Sequence, residues 1–216
     1  MRKTTLFTLL LLAIAALWQA NAEAAKRPNI LFIIADDQSP FDFKTYDPSS
    51  PLDAPAIGGM ASKGMTLDQA YHMGSMSGAV CSPSRTMVMS GRTLWHLPRR
   101  GKKHLKREEG LTTGEDILNN TIPAVFNRAG YDTMRTCKNG NSYNSANELF
   151  TVREDATKRG GTPETGSEWH GDRVINYLNG REKANDPDPF FIYFGFSHPH
   201  DVRDGTPDLL KKYAAL

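Results

Sequence analysis

Cysteine is scarce in this sequence, with only Cys81 and Cys137 in a chain of 216 residues. At most one internal disulfide can form, so disulfide bonding cannot be the main source of stability. Charge of one sign is lacking too: 26 Lys and Arg stand against 24 Asp and Glu, a net charge of +2. That balance excludes the protein-wide positive field of a nucleic-acid binder. There are no internal repeats and no low-complexity tracts, and no linker divides the chain. Beyond the first residues, no apolar run reaches the roughly 20 residues needed to cross a bilayer.

What is present is an ordinary globular composition, 39% hydrophobic and 23% charged, long enough for one domain with a proper core. At the start, Arg2 and Lys3 precede the apolar run from Leu6 to Trp18, and Ala20-Asn21-Ala22 supplies a small-residue cleavage pattern. Residues 1–22 are therefore read as a signal peptide. The mature chain, 23–216, is expected in the periplasm or secreted, with no membrane association after cleavage. An exported location permits a Cys81–Cys137 disulfide. The basic block "RRGKKHLKREEG" from Arg99 is expected to be a solvated loop or lid.

Hydrophobic patterning alternates between strand and helix. "PNILFIIA", from Pro28 to Ala35, suits a strand buried on both faces of a parallel sheet. "DAPAIGGMASKGM" predicts a helix capped by Asp53 and closed by Gly64, followed by a short strand at Thr66 to Ala70. A helix is expected from Pro83 to Met89. Another is capped by Thr121 and stopped by Gly130, leading into a strand from Tyr131. "DRVINYLNG" and "PFFIYFGFS" repeat the helix and strand patterns. The expected fold is a three-layer α/β architecture with a largely parallel sheet. "TPDLLKKYAAL" reads as an amphipathic helix without a cap, so the chain is expected to be the incomplete, N-terminal part of a longer catalytic domain.

Chemistry gathers where open α/β sheets bind ligands, at the carboxyl ends of strands. Asp36 and Asp37 follow the first strand, and adjacent carboxylates repel each other unless a hard cation such as Ca²⁺ or Mg²⁺ lies between them. The alternative is one carboxylate capping a turn and one solvated. Cys81 precedes a helix whose first turn accommodates Pro83, and the unpaired N–H groups there favour an anion. Arg85, one turn on, adds a charged fork suited to phosphate or sulfate. Lys138 and His200, each just after a strand, would reach the same edge. On these grounds alone Cys81 could be a nucleophile, half of a disulfide, or the substrate of a modification.

The motifs "RPNILFIIADDQ", "CSPSRTMVMSGR", "AGYDTMRTCK" and "PFFIYFGFSHPH" together resemble the N-terminal portion of a sulfatase, in the alkaline-phosphatase-like superfamily. The resemblance implies that Cys81 is oxidised to Cα-formylglycine by a formylglycine-generating enzyme, which a disulfide would prevent. It implies that one hydroxyl of the hydrated aldehyde attacks sulfur and that the second then expels sulfate. By the same resemblance Asp36, Asp37 and modified Cys81 bind Ca²⁺, and Arg85 orients the formylglycine. Lys138 binds sulfate, and His200 contacts it and protonates the leaving oxygen. His198 is a weaker substrate contact. The implied substrate is a sulfated carbohydrate or other sulfate ester.

Two departures from the family pattern stand out. Gly140 occupies the place of the family's usual histidine after Lys138, leaving Asn139 or Asn141 as substitutes. A second pair of calcium ligands has no counterpart in these 216 residues, so weak calcium binding and little hydrolysis are expected of them. The alternatives are a phosphate or phosphonate ester hydrolase of the same superfamily, or a noncatalytic sulfatase-like domain.

Overall fold

The computed structural model describes residues 27–75, 80–97, 118–138, 143–156, 166–200 and 205–215. The predicted signal peptide, the basic block from Arg99, and Asn139, Gly140 and Asn141 lie outside the described residues. Among the described residues, four parallel strands form one sheet in the order β1-β4-β2-β3: β1 (Ile30–Asp36), β2 (Asp132–Cys137), β3 (Val152–Arg153) and β4 (Phe190–Pro199). The helices are α1 (Pro55–Lys63), α2 (Cys81–Ser90), α3 (Ile122–Arg128), α4 (Asn144–Asn147), α5 (Ser167–Ala184) and α6 (Pro207–Tyr213).

The period of two along β2 and β4 sends alternate side chains to opposite faces, and each face acquires its own core. On one side Cys137, Phe191 and Tyr193 pack with Met89 of α2, Ala146 of α4 and Phe126 of α3. On the other, Met134, Ile192 and Phe194 meet Val174, Tyr177 and Leu178 of α5. Helix, sheet and helix are thus the three layers expected. Phe191 is sandwiched by aromatic rings, stacking on Phe126 at 4.3 Å between centroids and on Phe150 at 6.3 Å. Each such fully buried side chain contributes about 1.5–3 kcal/mol by removal from water.

Strand β1 departs from the expectation of burial on both faces. Ile30, Phe32 and Ile34 join the core under α2, but Leu31 and Ile33 are 49% and 43% exposed. Helix α5 packs on β4 and β2, which leaves the second face of β1 half-exposed. Hydrophobicity reports that a residue tolerates burial; it does not report which neighbour is there to bury it.

Three local expectations also change. The strand at Thr66 to Ala70 does not form; the segment is irregular with a turn at Asp68 and Gln69, and Leu67 O accepts a hydrogen bond from Tyr46 at 3.1 Å. Helix α1 is preceded by Ala54 in the cap position, and the Asp53 carboxylate instead pairs with Lys212 of α6 at 2.7 Å. Gly64 closes α1 in an extended conformation. Thr121 does occupy the cap position of α3, but its hydroxyl donates to Leu118 O at 2.7 Å instead of capping the helix.

Candidate active site

Helix α2 begins at Cys81, two residues earlier than the sequence pattern indicates, and Pro83 stays within its first turn. No intrahelical hydrogen bond is lost there, since the first N–H groups of a helix have no partner within it. The helix ends at Gly91, whose φ of 63° is left-handed and suits a residue without a Cβ. Its N–H closes on Met87 O at 2.9 Å. The cysteine therefore sits at the positive end of a helix dipole.

Asp36 is the last residue of β1 and only 4% exposed; Asp37 follows with a left-handed φ of 64°. Cys81 Sγ donates weakly to Asp37 Oδ1 at 4.0 Å. Ligand atoms of Asp36, Asp37 and Cys81 lie within 4.8 Å of one another, a grouping able to hold a metal ion. The two carboxylates are hard donors that suit a divalent cation. An oxygen in place of the Cys81 sulfur would complete an all-oxygen set.

Basic side chains converge on the same carboxylates. Lys138, just past β2, forms an ion pair with Asp36 Oδ2, and Arg85 Nη2 lies 3.7 Å from the same oxygen. His200 Nε2 stands 3.8 Å from Asp37 Oδ2. The structure therefore brings together Asp36, Asp37, Cys81, Arg85, Lys138 and His200. His198 occupies β4 next to a cis peptide bond to Pro199 and interacts electrostatically with His170 on the α5 side of the sheet. Cys81 and Cys137 are both free thiols, so no disulfide joins them.

Arg85 is 1% exposed. Burial opposes its charge, but Cys137, Tyr193 and Cys81 nearby more than offset that, and its pKa is raised. Burial, reinforced by Cys137, pushes the Tyr193 phenol up to about 12, although Arg85 and Arg135 pull it the other way. Beneath the site, Gly195 leaves space that no other residue would: a Cβ there would lie 2.4 Å from Cys137 Sγ and 2.9 Å from Arg85 Nη1. Gly195→Ala is therefore expected to destabilise the fold by about 1–3 kcal/mol through overpacking. A urea midpoint unchanged from wild type would contradict this.

The sequence reading missed Cys137, Tyr193 and His170. Cys137 and Tyr193 lie inside hydrophobic strand patterns that read as core, and only the register reveals their partner. His170, in the first turn of α5, is completely buried. Thr136 Oγ1 donates to Glu154 O at 2.9 Å, which leaves the 2.6 Å contact with His170 Nδ1 to be donated by the ring. Burial first, then the charges of His198, Arg135 and Arg85, lower its pKa from 6.5 to about 4. The unfolded chain takes up this proton near pH 6.5 and the folded chain only near pH 4. Stability should fall as pH drops through that window, because the unfolded state binds more protons there. In urea titrations across that range, His170→Gln is expected to show a shallower decline than wild type; an equal slope would place the titration elsewhere.

A run of adjacent aspartates, a cysteine at a helix start and basic groups at the carboxyl ends of parallel strands define an anion-processing site of the α/β class. The chain belongs to the sulfatase family, whose model it matches over residues 28–215. It is 27% identical over 133 residues to an N-acetylglucosamine-6-O-sulfatase of Bacteroides thetaiotaomicron, a match covering 60% of this chain. The chain spans about a fifth of that relative's length, 21%. The fold matches that of a protein solved in complex with its substrate D-glucosamine-2-N,6-O-disulfate, with a TM-score of 0.63, 20% identity, and coverage of 88% of this chain and 38% of the other. It also matches a protein of the alkaline phosphatase superfamily from Vibrio parahaemolyticus, with a TM-score of 0.61, 16% identity, and coverage of 85% and 43%. These likenesses establish the alkaline-phosphatase-like fold.

Proposed function

We propose that this chain carries the nucleophile, and part of the cation and anion site, of a sulfuric ester hydrolase that releases inorganic sulfate from sulfated carbohydrate. The observation that carries this reading is the meeting of Cys81 with Asp37 at the amino end of α2, with Arg85 and Lys138 on Asp36 beside it. Sulfated sugars named for the similar proteins support the substrate class.

Converted to formylglycine by a formylglycine-generating enzyme and hydrated, Cys81 would supply two geminal hydroxyls, one to attack sulfur and one to expel sulfate. Asp36, Asp37 and the modified Cys81 would hold Ca²⁺, which would neutralise charge on the sulfate oxygens. Arg85 orients the nucleophile from one helical turn away. Lys138 offers its ammonium to a sulfate oxygen, with Asp36 as its resting partner. His200, 3.8 Å from Asp37 Oδ2, would protonate the departing alcohol oxygen. Residues 1–22 are proposed to export the chain to the periplasm or beyond.

The test is peptide mass spectrometry of the segment around Cys81 after coexpression with the modifying enzyme, paired with turnover of aryl sulfate against aryl phosphate by a full-length version. Formylglycine at position 81 and preference for the sulfate are expected. Recovery of unmodified cysteine alone would overturn the mechanism, and preference for the phosphate would transfer the chain to phosphoryl chemistry. Asp37→Asn is expected to weaken Ca²⁺ binding by roughly tenfold or more, since it removes one of few anionic ligands. Calorimetric titration with Ca²⁺ would read this, and equal affinity would remove Asp37 from the ligand set.

A further inference from the structure

Arg85 is enclosed by acceptors from three strands. Nη1 donates to Cys137 Sγ at 3.0 Å and to Tyr193 Oη at 3.2 Å, while Nη2 donates to Phe196 O at 3.3 Å and lies 3.7 Å from Asp36 Oδ2. The two Nη1 acceptors occupy adjacent positions on one face of the sheet. Arg135 of β2 pairs with Tyr193 of β4, and Cys137 pairs with Gly195. The missing side chain at Gly195 makes the notch in which the sulfur and the guanidinium meet. A buried free cysteine ordinarily behaves as a small apolar side chain; here its sulfur faces a permanent cation. Cys137 and Tyr193 are themselves fully enclosed, so neither contact is exchanged for water.

We propose that Cys137 and Tyr193 are positioning residues that hold the Nη1 edge of Arg85, turning Nη2 toward Asp36 and fixing the amino end of α2, with Cys81, against the carboxyl ends of β1 and β2. A guanidinium on a flexible three-carbon stem has many rotamers, and its planar fork points wherever its acceptors are. The four acceptors here come from β1, β2 and β4, so the direction of the fork is decided by sheet register. What this does for catalysis rests on the sulfate-ester reading; the positioning itself does not.

Rotation of the Arg85 guanidinium about its Cζ–Nε bond reports the clamp directly, by nitrogen-15 NMR of the arginine side chains in the full chain. The Arg85→Lys spectrum identifies the resonance by its loss. Wild type is expected to show slow rotation. Cys137→Ala is expected to accelerate it by roughly tenfold or more, the loss of a hydrogen bond to a charged group. Cys137→Ser, which keeps an acceptor at that position, is expected to restore slow rotation. An unchanged rate in Cys137→Ala, or equally fast rotation in the serine and alanine variants, overturns the proposal. Should the alanine variant not fold, Tyr193→Phe keeps the ring, removes the second acceptor and carries the same expectation and the same refutation. The measurement requires neither turnover nor a modified Cys81, so a failure of the sulfatase reading and a failure of this one are told apart.

Discussion

In the whole enzyme, Cys81→Ala is expected to lower sulfate-ester turnover by at least about 10⁴-fold, the scale on which removing a covalent nucleophile acts. Folding stability should change by less than about 1 kcal/mol, because the half-buried thiol is small and its contact to Asp37 is long, at 4.0 Å. Cys81→Ser separates the covalent step from the release step. A serine hydroxyl can attack sulfur once, but it has no second hydroxyl with which to expel the sulfate. Serine-bound sulfate, detected as a mass increase on that peptide, is therefore expected in place of steady turnover. Retention of wild-type turnover by the alanine variant would end the proposed mechanism.

Replacing Arg85 should have the largest effect on the fold itself. Arg85→Ala is expected to destabilise it by about 3–5 kcal/mol, the range for removing one partner of a buried ion pair. The loss would strand Asp36 with Lys138 alone and remove the donors that satisfy Tyr193 Oη and Phe196 O. Arg85→Lys keeps the charge but cannot serve acceptors on three strands with one ammonium, so it is expected to recover only part of the loss. Urea denaturation of the three proteins measures this, and a stability for Arg85→Ala within about 1 kcal/mol of wild type would show that the clamp is not structural.

Much of the site could be read in advance because its residues fall at ends of elements with strong patterns. Asp36 and Asp37 follow a continuous apolar strand, Cys81 opens a helix marked by Pro83, and Lys138 and His200 come just after strands. Their meeting follows from parallel strand topology, which gathers carboxyl ends along one edge. Other features were not visible for equally physical reasons. The Thr66 to Ala70 segment has strand-like residues but acquires no partner strand, and a lone strand has no ladder to stabilise it. Asp53 has the chemistry of a helix cap, yet an ion pair to Lys212, 159 positions away, takes its carboxylate. His170 looked like any polar residue in the first turn of a helix until α5 packed it against Thr136.

Sequence alone sufficed for the alternation of strands and helices, the three-layer class, the sulfatase motifs and the residues that gather at the carboxyl ends of the strands. All of these depend on local periodicity or on residue type. The tertiary structure alone decided the β1-β4-β2-β3 order, the half-exposed face of β1, and the placing of Cys137 opposite Gly195 so that a buried thiol holds Arg85. Strand order and register pair residues far apart in the chain, and a side-chain period of two fixes only which face a residue takes, leaving the partner across the strand to long-range packing.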